Sequence, residues 1–190
     1  MPELLIITAS PRKNSHTKKI AEYAAAAAGE KTAHICDITS KKINPCIACG
    51  KCRETFTCFR KDDAQEIINK IKKASKFIVV SPVYFSGVPS QFKAFIDRNQ
   101  PVWERNIKRK KFKTAEKRGI IILLAGGRNP GDFMPAKREI TALYKTNGIK
   151  PAGAVFIKGT DSIKDIQKEK GIKPRIKKAV AALGDDRRKK

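Results

Sequence analysis

No apolar run in this 190-residue sequence approaches the ~20 residues that a membrane-crossing helix needs. The opening stretch Met1–Thr8 is too short for a signal-peptide core. It has no basic residues before it and carries Pro2 and Glu3, so a cytoplasmic protein without a membrane partner is expected. The sequence contains no G-x-G-x-x-G and no G-K-[ST], which excludes the dinucleotide fingerprint and the P-loop. Acidic residues are scarce: 18 Asp and Glu stand against 42 Lys and Arg, a net charge of +24. Two thirds of that excess falls in residues 101–190. Such a balance points to an acidic partner, or to a cell whose proteins run basic. Nucleic acid is one acidic partner. Aromatic residues make up only 7%, however, and no RNP-like string occurs, so nucleic acid is the disfavoured partner. The runs Lys108–Lys111 and Arg187–Lys190 read more simply as solvated faces, or as docking charge for an acidic electron carrier.

The length suits one domain with a sizeable core, and 41% of residues are hydrophobic. The expected organisation is a single domain over 1–184, with a cysteine-rich insert at about 44–60 and a basic tail at 185–190. Short apolar runs without polar alternation mark strands buried on both faces at Leu4–Thr8, Phe77–Ser81 and Gly119–Ala125; Thr32–Asp37 reads as a weaker strand and Ala152–Ile157 as a fifth. Between them, helical spacing predicts helices over Ser15–Ala28 (closed by Gly29), Asp63–Ala74, Ser90–Trp103 and Pro135–Asn147. A terminal helix over Ser162–Leu183 should be interrupted at Gly171 and Pro174. Strands alternating with helices predict βαβ units: an α/β fold with a five-stranded parallel sheet and helices on both faces. Ligands of such sheets sit beyond the carboxyl ends of the strands. The loops Ala9–Asn14, Pro82–Pro89 and Gly126–Asp132 are therefore the candidate chemistry.

The first of these runs into Ser10-Pro-Arg12-Lys-Asn-Ser15-His16-Thr17. It sets hydroxyls and a guanidinium at the start of a helix, where free N–H groups and the helix dipole favour a phosphate. Neither His16 nor His34 has a partner legible in the sequence. Five cysteines are present, and four lie within thirteen residues: Cys46, Cys49, Cys52 and Cys58, in the pattern C-x2-C-x2-C-x5-C. Three thiolates spaced by two residues can wrap three corners of a cubane, with the fourth following shortly after. Gly50 allows a tight turn, and Lys51 and Arg53 offset thiolate charge. A [4Fe–4S] cluster, a zinc ion and an empty or disulfide-bonded loop all remain open at this point, although zinc sites more often use two separated C-x2-C pairs. Cys36 falls in a strand and reads as a small buried hydrophobe.

The stretch I-T-A-S-P-R-K-N-S-H-T, and then Ser81–Arg98 (S-P-V-Y-F-S-G-V-P-S-Q-F-K-A-F-I-D-R), resembles the NADPH-dependent FMN reductase family of flavodoxin-like proteins. The cysteine run resembles that family's iron–sulfur flavoprotein branch. The resemblance implies strand order 2-1-3-4-5, a non-covalent FMN and a [4Fe–4S] cluster held by Cys46, Cys49, Cys52 and Cys58. It implies that Ser10, Arg12, Ser15 and Thr17 hold the FMN phosphate, with His16 in the same loop. Pro82, Val83, Tyr84, Phe85 and Gly87 would line the isoalloxazine. Gly126 and Gly127, in the loop Ala125–Asn129, correspond more loosely to a third flavin loop. Ferredoxin or NAD(P)H is the implied electron donor, and a homodimer or homotetramer the implied assembly. An FMN redox protein with a cluster is the leading expectation. A cluster-free NAD(P)H-dependent FMN or quinone reductase is the alternative, and a basic nucleic-acid-binding scaffold is the alternative from another class.

Overall fold

Five parallel strands in the order β2-β1-β3-β4-β5 carry helices on both faces. The computed structural model describes residues 3–29, 33–110, 117–127 and 129–184. The strands are β1 (Leu4–Thr8), β2 (His34–Asp37), β3 (Lys76–Pro82), β4 (Lys117–Leu124) and β5 (Ile149–Ile157). The helices are α1 (His16–Ala28), α2 (Cys52–Thr55), α3 (Asp63–Lys73), α4 (Ser90–Asp97), α5 (Gln100–Lys108), α6 (Phe133–Thr146) and α7 (Ile172–Ala181). The expected sheet order is the one found, with helices around it. Thr32, Arg128, the centre of the basic stretch 108–117 and the tail 185–190 lie outside the described residues.

Every residue of β1 is buried, as its unbroken apolar run requires. Alternate side chains feed two cores. Leu5, Ile7, Phe77, Val79, Ile121 and Leu123 pack beneath α3, α4 and α6. Leu4, Ile6, Ile78, Val80, Ile120 and Ile122 pack beneath α1 and α7. On the first side Tyr144 is buried and donates from its hydroxyl to the Ile120 carbonyl at 2.8 Å. A Cβ at Gly119 would collide with that ring, so this strand position accepts only glycine.

Three helices differ from the sequence expectation. Ser90–Trp103 is two helices, because Pro101 has no N–H to continue the ladder. Asn99 covers the break by donating from Nδ2 to the Phe95 carbonyl at 2.9 Å. Within the terminal segment, α7 starts only after Gly171, which takes the left-handed φ of 84°. Pro174 does not interrupt it; it sits in the first turn, where a missing N–H costs nothing. The four-residue α2 has no apolar period to betray it and forms inside the cysteine loop.

Candidate functional site

Two of the cavities lined by described residues hold the sequence candidates, and the two share no lining residue. One, of about 390 Å3, lies at the carboxyl ends of the strands. Its floor is the loop from β1 into α1. Ser15 caps α1, its hydroxyl accepting from Lys18 N–H at 3.2 Å. Ser10 is held from outside: Thr39 donates to its carbonyl at 3.1 Å. Ser10, Ser15 and Thr17 are buried, whereas Arg12 is exposed and free to reach over a bound anion. The first N–H groups of a helix have no intrahelical acceptor, so this end of α1 is a ready anion seat.

All five phosphate-loop candidates, Ser10, Arg12, Ser15, His16 and Thr17, line this cavity. His16 has a partner after all: its Nε2 bonds the Ile163 carbonyl at 2.9 Å, which ties the β5–α7 loop over the end of α1. Its Nδ1 is buried without a partner among the described residues. Such an atom on a cavity wall fits a polar ligand.

Pro82, Val83 and Tyr84 form another wall. Tyr84 and Gly87 exchange both backbone hydrogen bonds, at 3.0 and 2.9 Å, and close a two-residue turn. Phe85 and Ser86 occupy the turn with φ of 47° and 62°, values that suit Gly or Asn. The turn is anchored on α6. Val88 N–H donates to Glu139 at 3.0 Å, and Ala136 N–H donates to the Ser86 carbonyl at 3.1 Å. Phe85 is thereby held wholly in solvent. Neither it nor Gly87 is on the cavity wall.

Gly126 is on the wall, but Gly127 is not. A Cβ on Gly126 would strike the Asp161 carboxylate, so the β4 and β5 loops meet there at the closest approach a glycine permits. Thr160, Asp161 and Ile163 complete the wall from a loop that sequence reasoning missed. Only its place after a fifth strand could have signalled it.

The second cavity, of about 250 Å3, is lined by Cys46, Cys49, Cys52 and Cys58 together. The chain winds around it through left-handed residues Ala48, Gly50 and Phe56, with φ of 52°, 75° and 54°. Ala48 N–H donates to Cys46 Sγ at 3.4 Å, and Cys46 and Cys49 are exposed. Burial raises the Cys52 thiol pKa. The carboxylate of Glu104 and the charges of Cys46 and Cys58 push it the same way. Cys36 is buried in β2, away from this cavity.

No cluster of three or more His, Cys, Asp or Glu groups converges as a single-ion site among the described residues. Two cavity-lining guanidiniums, of Arg60 and Arg98, have buried Nε atoms without acceptors among the described residues. Buried donors left open around thiols fit an anionic, sulfur-rich occupant.

Arg98 has no role legible in the sequence, and its surroundings supply one. It is 2% exposed, and its guanidinium forks onto Asp62 at 2.6 and 2.9 Å. It also donates to the Asn44 carbonyl at 2.8 Å. Asp62 in turn caps α3, accepting from Ala64 N–H at 3.2 Å, and accepts from Asn44 N–H at 3.1 Å. Beside them Lys42 and Asp63 bond reciprocally, at 2.8 and 3.1 Å. The cysteine loop is therefore closed at its neck.

A five-stranded parallel sheet of order 2-1-3-4-5, with helices on both faces and a cavity at the carboxyl ends of its strands, defines a flavodoxin-like α/β protein. The chain belongs to the NADPH-dependent FMN reductase family, which its residues 2–155 match. An iron-sulfur flavoprotein of Methanocaldococcus jannaschii is 35% identical over 127 residues, 66% of this chain and 63% of that protein. One of Methanosarcina thermophila is 35% identical over 127 residues, 66% of this chain and 64% of that protein. The chain thus spans less than two thirds of the length of either relative. An FMN-dependent NADH-azoreductase from Bacillus anthracis, solved with FMN, superimposes with a TM-score of 0.68 at 17% identity, over 96% of this chain and 99% of that one. A likeness at that identity speaks to the fold. No helix among the described residues is long and apolar enough to cross a membrane.

Proposed function

We propose that this chain is an FMN-dependent oxidoreductase whose loop Cys46–Cys58 holds a [4Fe–4S] cluster that exchanges electrons with the flavin. The observation that supports the reading is that all four cysteines line one cavity, apart from the cavity at the strand ends that would take the flavin. Bound FMN takes up two electrons together or one at a time, and a cluster handles single electrons, so the pair couples a hydride donor to one-electron carriers.

The chain's own residues bind and orient in this scheme. Ser10, Arg12, Ser15 and Thr17 hold the phosphate at the start of α1, and His16 keeps the β5–α7 loop closed over it. Pro82, Val83 and Tyr84 give the ring an apolar wall, and Gly126 lets the backbone approach it. Cys46, Cys49, Cys52 and Cys58 ligate iron as thiolates. Loading therefore releases protons and is favoured by higher pH, most of all at Cys52, whose thiol pKa is raised.

A reduced nicotinamide or a ferredoxin is the proposed donor. The exposed Cys46 and Cys49, with Lys51 and Arg53 beside them, present a basic face to an acidic carrier. A homodimer or homotetramer and a cytoplasmic location belong to the same reading, since thiols that hold iron need a reducing compartment.

The test is the visible spectrum of anaerobically purified protein, with iron, sulfide and flavin counted per chain. Flavin bands with a broad shoulder, and about four irons per flavin, are expected. Flavin without iron or sulfide after reconstitution would leave the cluster-free reductase as the function.

A further inference from the structure

Arg98 does more than fill space below the cysteine loop. It stands where α4 ends, outside the loop in sequence, yet it holds both of the loop's ends. Its Nη1 bonds the Asn44 carbonyl before the first cysteine, at 2.8 Å. Its other amine reaches toward the Arg60 carbonyl, past the last cysteine, at 3.5 Å. Both amines grip Asp62. The pair is almost wholly buried, with exposures of 2% and 5%. A buried charge pair is seldom worth its desolvation as a source of stability alone. Arg98 also lines the cysteine cavity, with its Nε buried and unpartnered among the described residues. A guanidinium keeps its proton in proteins, so the cation is permanent.

We propose that Arg98 is the positioning residue of the cysteine centre: it clamps the two ends of the loop so that four thiols face one cavity, and its fixed positive charge raises the reduction potential of the cluster held there. The proposal rests on the [4Fe–4S] reading of the loop. A fixed cation and an N–H donor beside a cluster favour its reduced, more negative form. The fork matters as much as the charge. A guanidinium can hold one carboxylate and two carbonyls at once, and an ammonium cannot.

The test uses the full chain, reconstituted without oxygen, as parent, Arg98→Lys, Arg98→Gln and Arg98→Gln/Asp62→Asn. The double variant removes both buried charges, so it folds even where Arg98→Gln leaves Asp62 stranded. Three quantities are read: the rate of iron release to a chelator, the midpoint potential of the cluster, and hydrogen exchange of residues 44–60 in metal-free, flavin-loaded protein.

Iron release about 10–100-fold faster is expected in all three variants. The potential falls in both Gln-containing variants and stays near the parent value in Arg98→Lys, which keeps the charge. Exchange across 44–60 quickens in all three, while the sheet stays protected. A double variant that binds flavin and matches the parent in iron release and potential overturns the proposal and leaves the cluster reading intact. A parent that takes up no iron sinks the cluster reading and, with it, the claim about the potential. The exchange measurement then decides the clamp by itself: quickened exchange supports it, and unchanged exchange ends it.

Discussion

The imidazole of His16 and the main-chain carbonyl of Ile163 meet at 2.9 Å across 147 residues of sequence. To bond a carbonyl, Nε2 must carry a proton. The ring thus acts as a latch between the β1–α1 loop and the β5–α7 loop, both of which line the cavity at the strand ends. Replacing His16 by Ala removes the latch. The expected cost is about 1 kcal/mol of stability, the ordinary worth of a hydrogen bond, with FMN affinity reduced several-fold. Thermal unfolding and flavin-fluorescence titration measure the two effects. An unchanged FMN affinity would remove the latch from the binding site.

Arg12→Ala combined with Ser15→Ala should weaken FMN far more than riboflavin. Arg12 is the exposed cation above the end of α1, and Ser15 is the buried cap of that helix. Charge-assisted contacts are worth about 1.5–3 kcal/mol each. Losing the cap also costs roughly 1 kcal/mol of helix stability. That second loss falls on both ligands alike, so the ratio of the two dissociation constants isolates the phosphate. Equal losses would mean that the phosphate is held elsewhere.

Tyr84 and Phe85 are adjacent but separable. Tyr84 is 37% exposed on the cavity wall, and Phe85 lies wholly outside at φ of 47°. Tyr84→Ala should change flavin affinity and potential while costing well under the ~3–5 kcal/mol of an aromatic core truncation. Phe85→Gly should raise stability by about 1 kcal/mol, because glycine accepts the left-handed conformation that Phe resists. If Phe85→Gly destabilises the isolated protein, the side chain has a packing partner in solution and the turn is not merely strained.

The sheet was legible because parallel strands buried on both faces leave unbroken apolar runs such as Leu4–Thr8 and Phe77–Val80. That the β1–α1 loop would line a cavity was legible because hydroxyls and a cation sit at the start of a helix beyond a buried strand. Arg98 and Asp62 were not, because a buried ion pair between distant segments has no period and no local motif. The loop at Thr160–Ile163 was hidden for a related reason. Its role depends on His16 drawing it over α1, a contact that no spacing encodes. Pro101 and Pro174 show the limit of single-residue rules. Both sit in the first turn of a helix, but Pro101 follows directly on another helix and so marks a break, whereas Pro174 follows the left-handed Gly171.

Stability at low pH should depend on Asp62. Burial alone would raise its pKa, but hydrogen bonds from Arg98, Asn44 and Ala64 hold it below the ordinary 3.8. A carboxylate with a depressed folded pKa contributes stability above its unfolded value, and that contribution is lost as pH falls through the folded value. The loss should therefore begin below about pH 4. Asp62→Asn should abolish that part of the acid transition and cost about 3–5 kcal/mol at neutral pH, since it leaves Arg98 buried and unpaired. Denaturant midpoints measured between pH 2.5 and 7 read both effects, and parallel curves for parent and variant would assign the acid transition to other carboxylates.

The four loop cysteines should behave as one unit, and Cys36 should stand apart. Cys46, Cys49, Cys52 and Cys58 line the same cavity, whereas Cys36 is buried in β2. A cubane missing one thiolate leaves an iron open to solvent and oxidation, so each single Cys→Ala change in the loop should lower iron per flavin sharply. FMN should stay bound in all four, because the phosphate loop and the cysteine loop share no lining residue. Cys36→Ala removes a small buried side chain and should cost about 1 kcal/mol of stability, with iron near the parent level. The deciding quantity is iron per flavin across the five variants, purified without oxygen. Equal iron in all five would mean that the loop thiols ligate nothing. Loss of iron from Cys36→Ala alone would move the centre to the sheet edge.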